Sequence, residues 1–297
     1  VFMQSSNVAG VQSATLRQLH RNVPLTFNVQ DIFPENAVYS HTMKKNSMPY
    51  RVLSAIQKKA YRDADRIITI SEDMKDQLLE LGVDEDKISV IYNWSYQDEV
   101  YDPEKTTSEV VERLMPEDDF NVVYAGNIGL MQNVEIVVET AAKMKNEPRI
   151  RFHIFGDGLY RKKLEARTQE LGLENVVFHD MLPAEHAPAL YCKADVNIIP
   201  LAENIYRTAL PSKTATCLAC QKPIILAIGE KSRFGHVLSK KTGCKITGSN
   251  DAEGMAKAIL SIYEEKNELS VKEIFSQAFR LSANSAAYAQ IIAENRR

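Results

Sequence analysis

Two α/β domains, each built on a parallel sheet, are the fold class the sequence predicts. Three observations carry it. Residues 121–125 form an apolar run that ends in a turn bracketed by Gly126 and Gly129 and leads into a helical pattern over 134–143. A second strand, turn and helix follow at once: the apolar run 150–155, then Gly156, Asp157 and Gly158, then a charged amphipathic stretch over 161–171. The length, 297 residues, suits two domains of ordinary size better than one core. Tandem βα units build a doubly wound parallel sheet. Its ligands sit beyond the carboxyl ends of the strands, where glycine admits a phosphate and the following helix dipole favours negative charge.

In chain order, one helical pattern over 9–20 precedes Pro24, and 25–29 reads as a buried strand delivering Gln30, Asp31 and Glu35 to the rim of its sheet. Asp31 and Glu35 are candidates by that position. A helix over 51–64 turns Val52, Leu53, Ile56 and Ala60 inward; 65–71 is a strand, and Ser71 with Glu72 and Asp73 opens the next helix, which stops at Gly82. A strand over 87–92 ends at Asn93 and Trp94. The acidic, proline-punctuated stretch 95–119 holds the interdomain connection and a helix over 108–114. Beyond the tandem units come a strand at 176–178, a helix over 184–194, a strand over 194–200, a helix over 214–220 opened by Pro211, Ser212 and Lys213, a strand over 223–227 and a rim loop over 229–233. Terminal helices occupy 250–266 and 270–295.

Hydrophobic residues make up 44% and charged residues 25%, ordinary for a globular chain, and the net charge of -3 argues against nucleic-acid binding. No apolar run approaches the ~20 residues that span a bilayer, and the start lacks the pattern of a signal peptide, so the expectation is a cytoplasmic protein. Cys192, Cys217, Cys220 and Cys244 read as reduced core thiols. The six histidines show no metal-ligand spacing, and no metal or cofactor is expected.

The order of Gly126, Asn127 and Gly129, then Phe152, Gly156 and Gly158, Leu182 and Pro183, Ala194 and Asp195 before Pro200, and Pro211, Ser212, Lys213, Ala219 and Pro223 resembles the C-terminal domain of family 4 glycosyltransferases. Asp31 through Glu35, the run 64–71, and Asn93 with Trp94 resemble the later part of the same family's N-terminal domain. The subset is similar to bacterial cell-surface polysaccharide transferases, including those handling N-acetylated amino sugars such as fucosamine. The resemblance implies a GT-B fold: two Rossmann-like domains facing across a cleft, acceptor in the first and donor nucleotide sugar in the second. Residues 1–98 would be the remainder of an N-terminal domain that lacks its first β/α units, 99–281 the donor domain and 282–297 the helix that crosses back.

On that resemblance Gly126, Asn127 and Gly129 meet the donor diphosphate or acceptor, and Gln132 and Asn133 stand where many relatives carry Lys-Gly. Gly156, Asp157 and Gly158 let the donor approach, and the backbone around Leu182 meets the nucleobase. Ser212 and the N–H groups behind Pro211 bind phosphate oxygens while Lys213 supplies charge without a metal. Arg207 is a second phosphate cation. Thr208 and Thr216 stand where many relatives carry glutamates, and Thr216 offers the ribose one hydroxyl in place of a carboxylate. Retaining transfer requires stabilising an oxocarbenium-like transition state and the negative charge of the departing diphosphate, so the cationic Lys213 is expected to carry catalysis, with Asp31 and Glu35 on the acceptor side. Each has a bland alternative: a βα turn for the glycines, caps for the two carboxylates, a solvated arginine for Arg207.

Lys44, Lys45, Arg51, Lys58, Lys59, Arg62 and Arg66 crowd around one amphipathic helix, a solvated face or a docking surface for anionic lipid at the inner face of the plasma membrane. The expected activity is transfer of a sugar, an N-acetylhexosamine, from a UDP donor to a saccharide or polyprenyl-linked acceptor. The rivals are a catalytically silent nucleotide-sugar-binding scaffold and a UDP-N-acetylglucosamine 2-epimerase-like enzyme.

Overall fold

The structure is a computed structural model that describes residues 1–115, 118–265 and 269–295. It forms two compact units, the first comprising Val1–Trp94, Asn204–Leu210 and Ala278–Arg297, the second Ser95–Glu203 and Pro211–Gln277. The units change at Trp94 and Ala278, where the sequence predicts boundaries at 98 and 281, and 204–210 belongs with the first unit although it lies inside the predicted second domain.

The first unit carries a four-stranded parallel sheet in chain order: β1 (Phe2–Gln4), β2 (Thr26–Val29), β3 (Arg66–Thr69) and β4 (Ile88–Val90). Every residue of β2 is buried, as expected of a parallel strand covered on both faces. Leu25, Phe27, Val29, Ile67, Met74 and Leu78 form the core with Ala60 and Tyr61 from the helix Met48–Asp63. That helix is capped by Ser47, whose Oγ accepts from Tyr50 N. The next, Glu72–Glu80, is capped as predicted by Ser71, whose Oγ accepts from Met74 N at 3.1 Å. The final helix, Leu281–Glu294, returns to this unit and seats Tyr288 against Ile68, Ile91 and Trp94, its hydroxyl 3.1 Å from Asn28 Oδ1. Residues 296 and 297 of the predicted final helix, and Lys266 of the one before it, lie outside the described residues.

The second unit carries a six-stranded parallel sheet of β5 (Phe120–Ala125), β6 (Ile150–Phe155), β7 (Val176–His179), β8 (Val196–Pro200), β9 (Ile224–Ala227) and β10 (Lys245–Ile246). Their spatial order is β10-β9-β8-β5-β6-β7, so the chain begins in the middle, builds outward through β6 and β7, and returns to the other side of β5 as β8. Alternate residues of β5 feed different cores. Val122 and Tyr124 pack beneath the helices Glu135–Lys143 and Ala252–Glu265, while Val123 meets Leu190 and Ala194 near the helix Ala187–Lys193.

Among the elements that go beyond the sequence reading are β1, the short helix Glu35–Tyr39, the helix Arg233–Thr242 and β10. Both strands are edge strands of three residues or fewer, too short to show alternation. The predicted helix over 184–194 starts as a 3-10 turn, Ala184–His186, before Ala187–Lys193, and the stretch 270–295 breaks into Lys272–Ala278 and Leu281–Glu294.

Candidate donor site

Strand order decides where a ligand can enter the second unit. Chain connections leave β5 and β8, adjacent in space, in opposite directions, and at such a reversal an open parallel sheet takes its ligand beyond the carboxyl ends of the strands. The loop after β5 holds Gly126, Asn127 and Gly129; the segment after β8 leads to Pro211, Ser212 and Lys213. Ala202 N donates to Met131 O at 2.8 Å and ties the two loops together.

Lys213 is the first residue of the helix Lys213–Ala219, and its ammonium donates to Ala125 O, the last carbonyl of β5. It also lies 4.1 Å from the centroid of the Tyr124 ring, a cation–π contact. Gly126 has φ +145°, and a Cβ there would lie 2.7 Å from Lys213 Nζ. Glycine therefore leaves the room that the ammonium occupies. The residue as a whole is half-buried, yet burial of its charge pulls the pKa down to about 8.

The second glycine loop supports the first. A Cβ on Gly156, at φ +146°, would sit 1.9 Å from Gly126 O, and one on Gly158 would sit 2.5 Å from Ile128 O. Hydrogen bonds run between the same backbones: Gly126 N to Phe155 O at 2.9 Å and Ile128 N to Asp157 O at 2.8 Å. Close packing of one loop on another accounts for glycine at 156 and 158. Asp157 turns its Oδ1 back to accept from Gly158 N at 2.7 Å. Arg161, read in the sequence only as the start of an amphipathic helix, locks this loop from behind, its Nη1 2.7 Å from Gly156 O and 3.0 Å from His179 O. Its sequence position shows nothing of this, because both acceptors are main-chain carbonyls.

Tyr124 OH donates to Asn127 O at 2.6 Å, and Asn127 Nδ2 donates to Gln132 Oε1 at 3.2 Å, so Asn127 and Gln132 are brought together. Asn133, at φ +46°, is spent on structure, its Nδ2 2.7 Å from Ser249 O. Leu182 packs into the core beside Val123 and leaves its main chain on the rim. Ser212 is exposed and its side chain makes no cap bond; Thr216 lies one turn into the same helix. Beneath the second loop, His153 is fully buried with its Nδ1 2.9 Å from His179 Nε2, and burial with the neighbouring His179 lowers its pKa to about 4.

The remaining predicted residues lie in the first unit. Arg207 belongs there and forms an ion pair with Glu80 at 2.5 Å, where the sequence places it in the donor domain. Thr208 is buried, its main-chain oxygen accepting from Ile32 N at 2.8 Å. Asp31 forms a β-bridge with Ala209, and although the residue is exposed its carboxyl is desolvated enough to raise the pKa. Glu35 is 7% exposed, accepts from Tyr50 OH at 3.0 Å, and has its pKa raised by burial. Among the described residues no three His, Cys, Asp or Glu side chains converge as a metal site, and no helix is long and apolar enough to cross a membrane.

Comparison with known proteins gives the family and agrees with the fold. Residues 106–278 match the family of glycosyl transferases group 1, and residues 3–94 match Glycosyltransferase Family 4. The chain is 26% identical over 238 residues to the probable glycosyltransferase WbjE of Pseudomonas aeruginosa, covering 80% of this chain and 59% of that protein. It is 29% identical over 201 residues to the putative colanic acid biosynthesis glycosyl transferase WcaI of Escherichia coli K12, covering 66% of this chain and 48% of that one. The chain thus spans about half to three-fifths of the length of these curated relatives. The crystal structure of Anabaena HepE in complex with UDP and glucose superposes with a TM-score of 0.76 at 20% identity, over 98% of this chain and 77% of HepE. With a Family 4 segment ahead of a group 1 domain that fills more than half its length, on a GT-B fold, this chain belongs to the group 1 glycosyl transferases.

Proposed function

We propose that the second unit binds the diphosphate of a UDP-sugar at the crevice between β5 and β8, and that the whole protein transfers the sugar to a saccharide or polyprenyl-linked acceptor in surface polysaccharide synthesis. The observation that carries this reading is the Lys213 ammonium, held on the last carbonyl of β5 where the strand order reverses. A cation already desolvated there gains more from an incoming phosphate than one in bulk water. The names of WbjE and WcaI support the polysaccharide context, and the UDP in HepE supports the nucleotide.

In the proposed reaction the bond between the anomeric carbon and the diphosphate oxygen breaks, and the acceptor oxygen bonds to that carbon with retention. The acceptor's proton goes to the departing phosphate. Lys213, Ser212 and the backbone N–H groups of Asn127 and Gly129 stabilise charge on the leaving group, most strongly when the bond is breaking. Thr216 holds the ribose, and the backbone beside Leu182 reads the base. The transfer uses no metal in this reading, and the donor sugar is an N-acetylhexosamine. The helix Met48–Asp63, with exposed Met48 and Val52 beside Arg51, Lys58 and Arg62, would rest on anionic lipid near a polyprenyl acceptor.

A second reading has its own observation: Thr216 in place of a carboxylate favours a nucleotide-sugar-binding subunit without turnover. Calorimetric titration of UDP and GDP into this chain and into Lys213→Ala tests the first. Selective UDP binding weakened at least tenfold by the substitution is expected; equal affinity in both proteins, or no binding to either nucleotide, would remove the donor site. Release of UDP from a UDP-sugar by a full-length protein separates the enzyme from the silent subunit.

A further inference from the structure

We infer that Cys192 and Cys220 form an oxidation site, in which hydrogen peroxide converts the two thiols into a reversible disulfide. Both lie in the second unit, Cys192 in the helix Ala187–Lys193 and Cys220 at the end of the helix Lys213–Ala219.

Packing brings the two sulfurs together. The two helices lie against one another, and Cys220 Sγ donates to Pro188 O at 3.5 Å. In an α-helix the carbonyl of one residue sits beside the amide four residues on, so Cys220 is held against the turn that carries Cys192. The two thiols themselves lie within hydrogen-bonding distance.

Their surroundings give the pair a direction. Cys192 borders a cavity of about 470 Å³ whose wall includes Thr106, Asp195 and Lys222 and whose rim carries the exposed Glu104 and Thr107. Asp195 and Lys222 immediately precede β8 and β9, so this cavity opens at the amino ends of the strands, away from the Lys213 ammonium at the carboxyl end of β5. The hydrogen bond from Cys220, the Lys222 ammonium and Thr106 hold the Cys192 thiol below its ordinary range, against burial and the charge of Asp102. Cys220 is fully buried behind it, and the bond to Cys192 together with burial pushes its thiol up. Cys192 is therefore the sulfur that attacks, and Cys220 the one that resolves. Burial pushes Cys217 and Cys244 up to about 12, which leaves both inert. At 2% exposure Cys192 admits an oxidant as small as peroxide.

In the first step the Cys192 thiolate attacks one peroxide oxygen, the O–O bond breaks and hydroxide leaves with the electron pair. Cys192 is oxidised to a sulfenic acid and the peroxide is reduced. The Cys220 sulfur then attacks the Cys192 sulfur, the S–O bond breaks, and the Cys220 proton leaves with the hydroxyl as water. Any thiol reductant restores the pair.

Thiol chemistry reports on this site without donor or acceptor, so its outcome is independent of the sugar-transfer reading. The reduced intact chain is exposed to increasing hydrogen peroxide, blocked with N-ethylmaleimide in denaturant, digested and mapped by mass spectrometry. A Cys192–Cys220 linked peptide, lost on treatment with dithiothreitol, should form at roughly tenfold less peroxide than oxidises the exposed Met48 and Met181. Cys217 and Cys244 should stay free for the maleimide. Cys220→Ser should stop at a Cys192 sulfenic acid that dimedone traps, and Cys192→Ser should leave Cys220 reduced at the same dose. If either serine variant fails to melt cooperatively, the wild-type map alone decides. Oxidised methionines with all four thiols still free, a disulfide between any other pair, or Cys220 oxidised as readily in Cys192→Ser as in wild type would overturn the assignment.

Discussion

Gly156→Ala separates two reasons for a glycine that look alike in a sequence. If Gly156 exists to admit a donor phosphate, alanine there should weaken binding and cost the empty protein only the backbone strain of a side chain at φ +146°. The structure gives a different reason: the new Cβ would fall 1.9 Å from Gly126 O and 2.9 Å from its carbonyl carbon, both main-chain atoms. The 126–129 loop would have to retreat by about 1.5 Å to reach the ~3.5 Å of ordinary contact. A non-glycine residue at φ +146° adds strain of about 1–3 kcal/mol, and overpacking adds about 1–3 kcal/mol more. The sum is about 2–6 kcal/mol, which lowers the melting temperature of a unit of this size by roughly 5–20 °C. The assay is a calorimetric melt of ligand-free protein beside Gly172→Ala, where φ is +61° but no atom lies within 4 Å of the new Cβ. That control carries a left-handed backbone penalty alone, about 1 kcal/mol, with no packing contact. A Gly156→Ala protein that melts within a degree or two of Gly172→Ala would refute the packing argument and return Gly156 to the ligand.

Other outcomes follow from the same contacts. An arriving phosphate should raise the pKa of Lys213 from about 8, so UDP binding should take up a proton near pH 8–9 and weaken as pH rises above 8; wild type and Lys213→Met compared in buffers of different ionisation enthalpy read this, and identical pH profiles would refute it. His153 titrates near 4 when folded and near 6.5 when unfolded, so the stability it contributes is complete above pH 6.5 and falls by up to about 3 kcal/mol as pH drops toward 4. Replacing it with Gln should flatten the urea midpoint between pH 6.5 and 4.5 relative to wild type, and an unchanged slope would count against the buried histidine pair. Arg17 donates to Arg21 O, Val23 O and Asp63 O and pairs with Asp65 at 2.7 Å, so Arg17→Ala should destabilise the first unit by about 2–3 kcal/mol in urea unfolding, with a loss under 0.5 kcal/mol as the refuting result.

What the sequence by itself determined is local. The buried strands 26–29, 66–69 and 120–125, the Ser71 cap and the glycine turns after β5 and β6 follow from short-range rules, because a fully buried parallel strand must be apolar and a helix start needs an oxygen acceptor. The helix start at Lys213 was legible for the same reason, because Pro211 and Ser212 announce it, whereas the role proposed for its ammonium came from the family resemblance. Tertiary structure alone decided the rest. The order β10-β9-β8-β5-β6-β7 makes the carboxyl end of β5 the crevice, and no local pattern records which strands become neighbours. Arg207 and Thr208 sit between two elements of the second unit in sequence, yet their segment pairs with Asp31 and Ile32 of the first, across more than 170 positions of chain. Gly156 is glycine because another backbone lies against it, and Arg161 serves the site through carbonyls that carry no sequence signature. Composition and periodicity report what each residue needs from its surroundings, such as burial, a cap or room for a backbone. They do not report which distant segment supplies it.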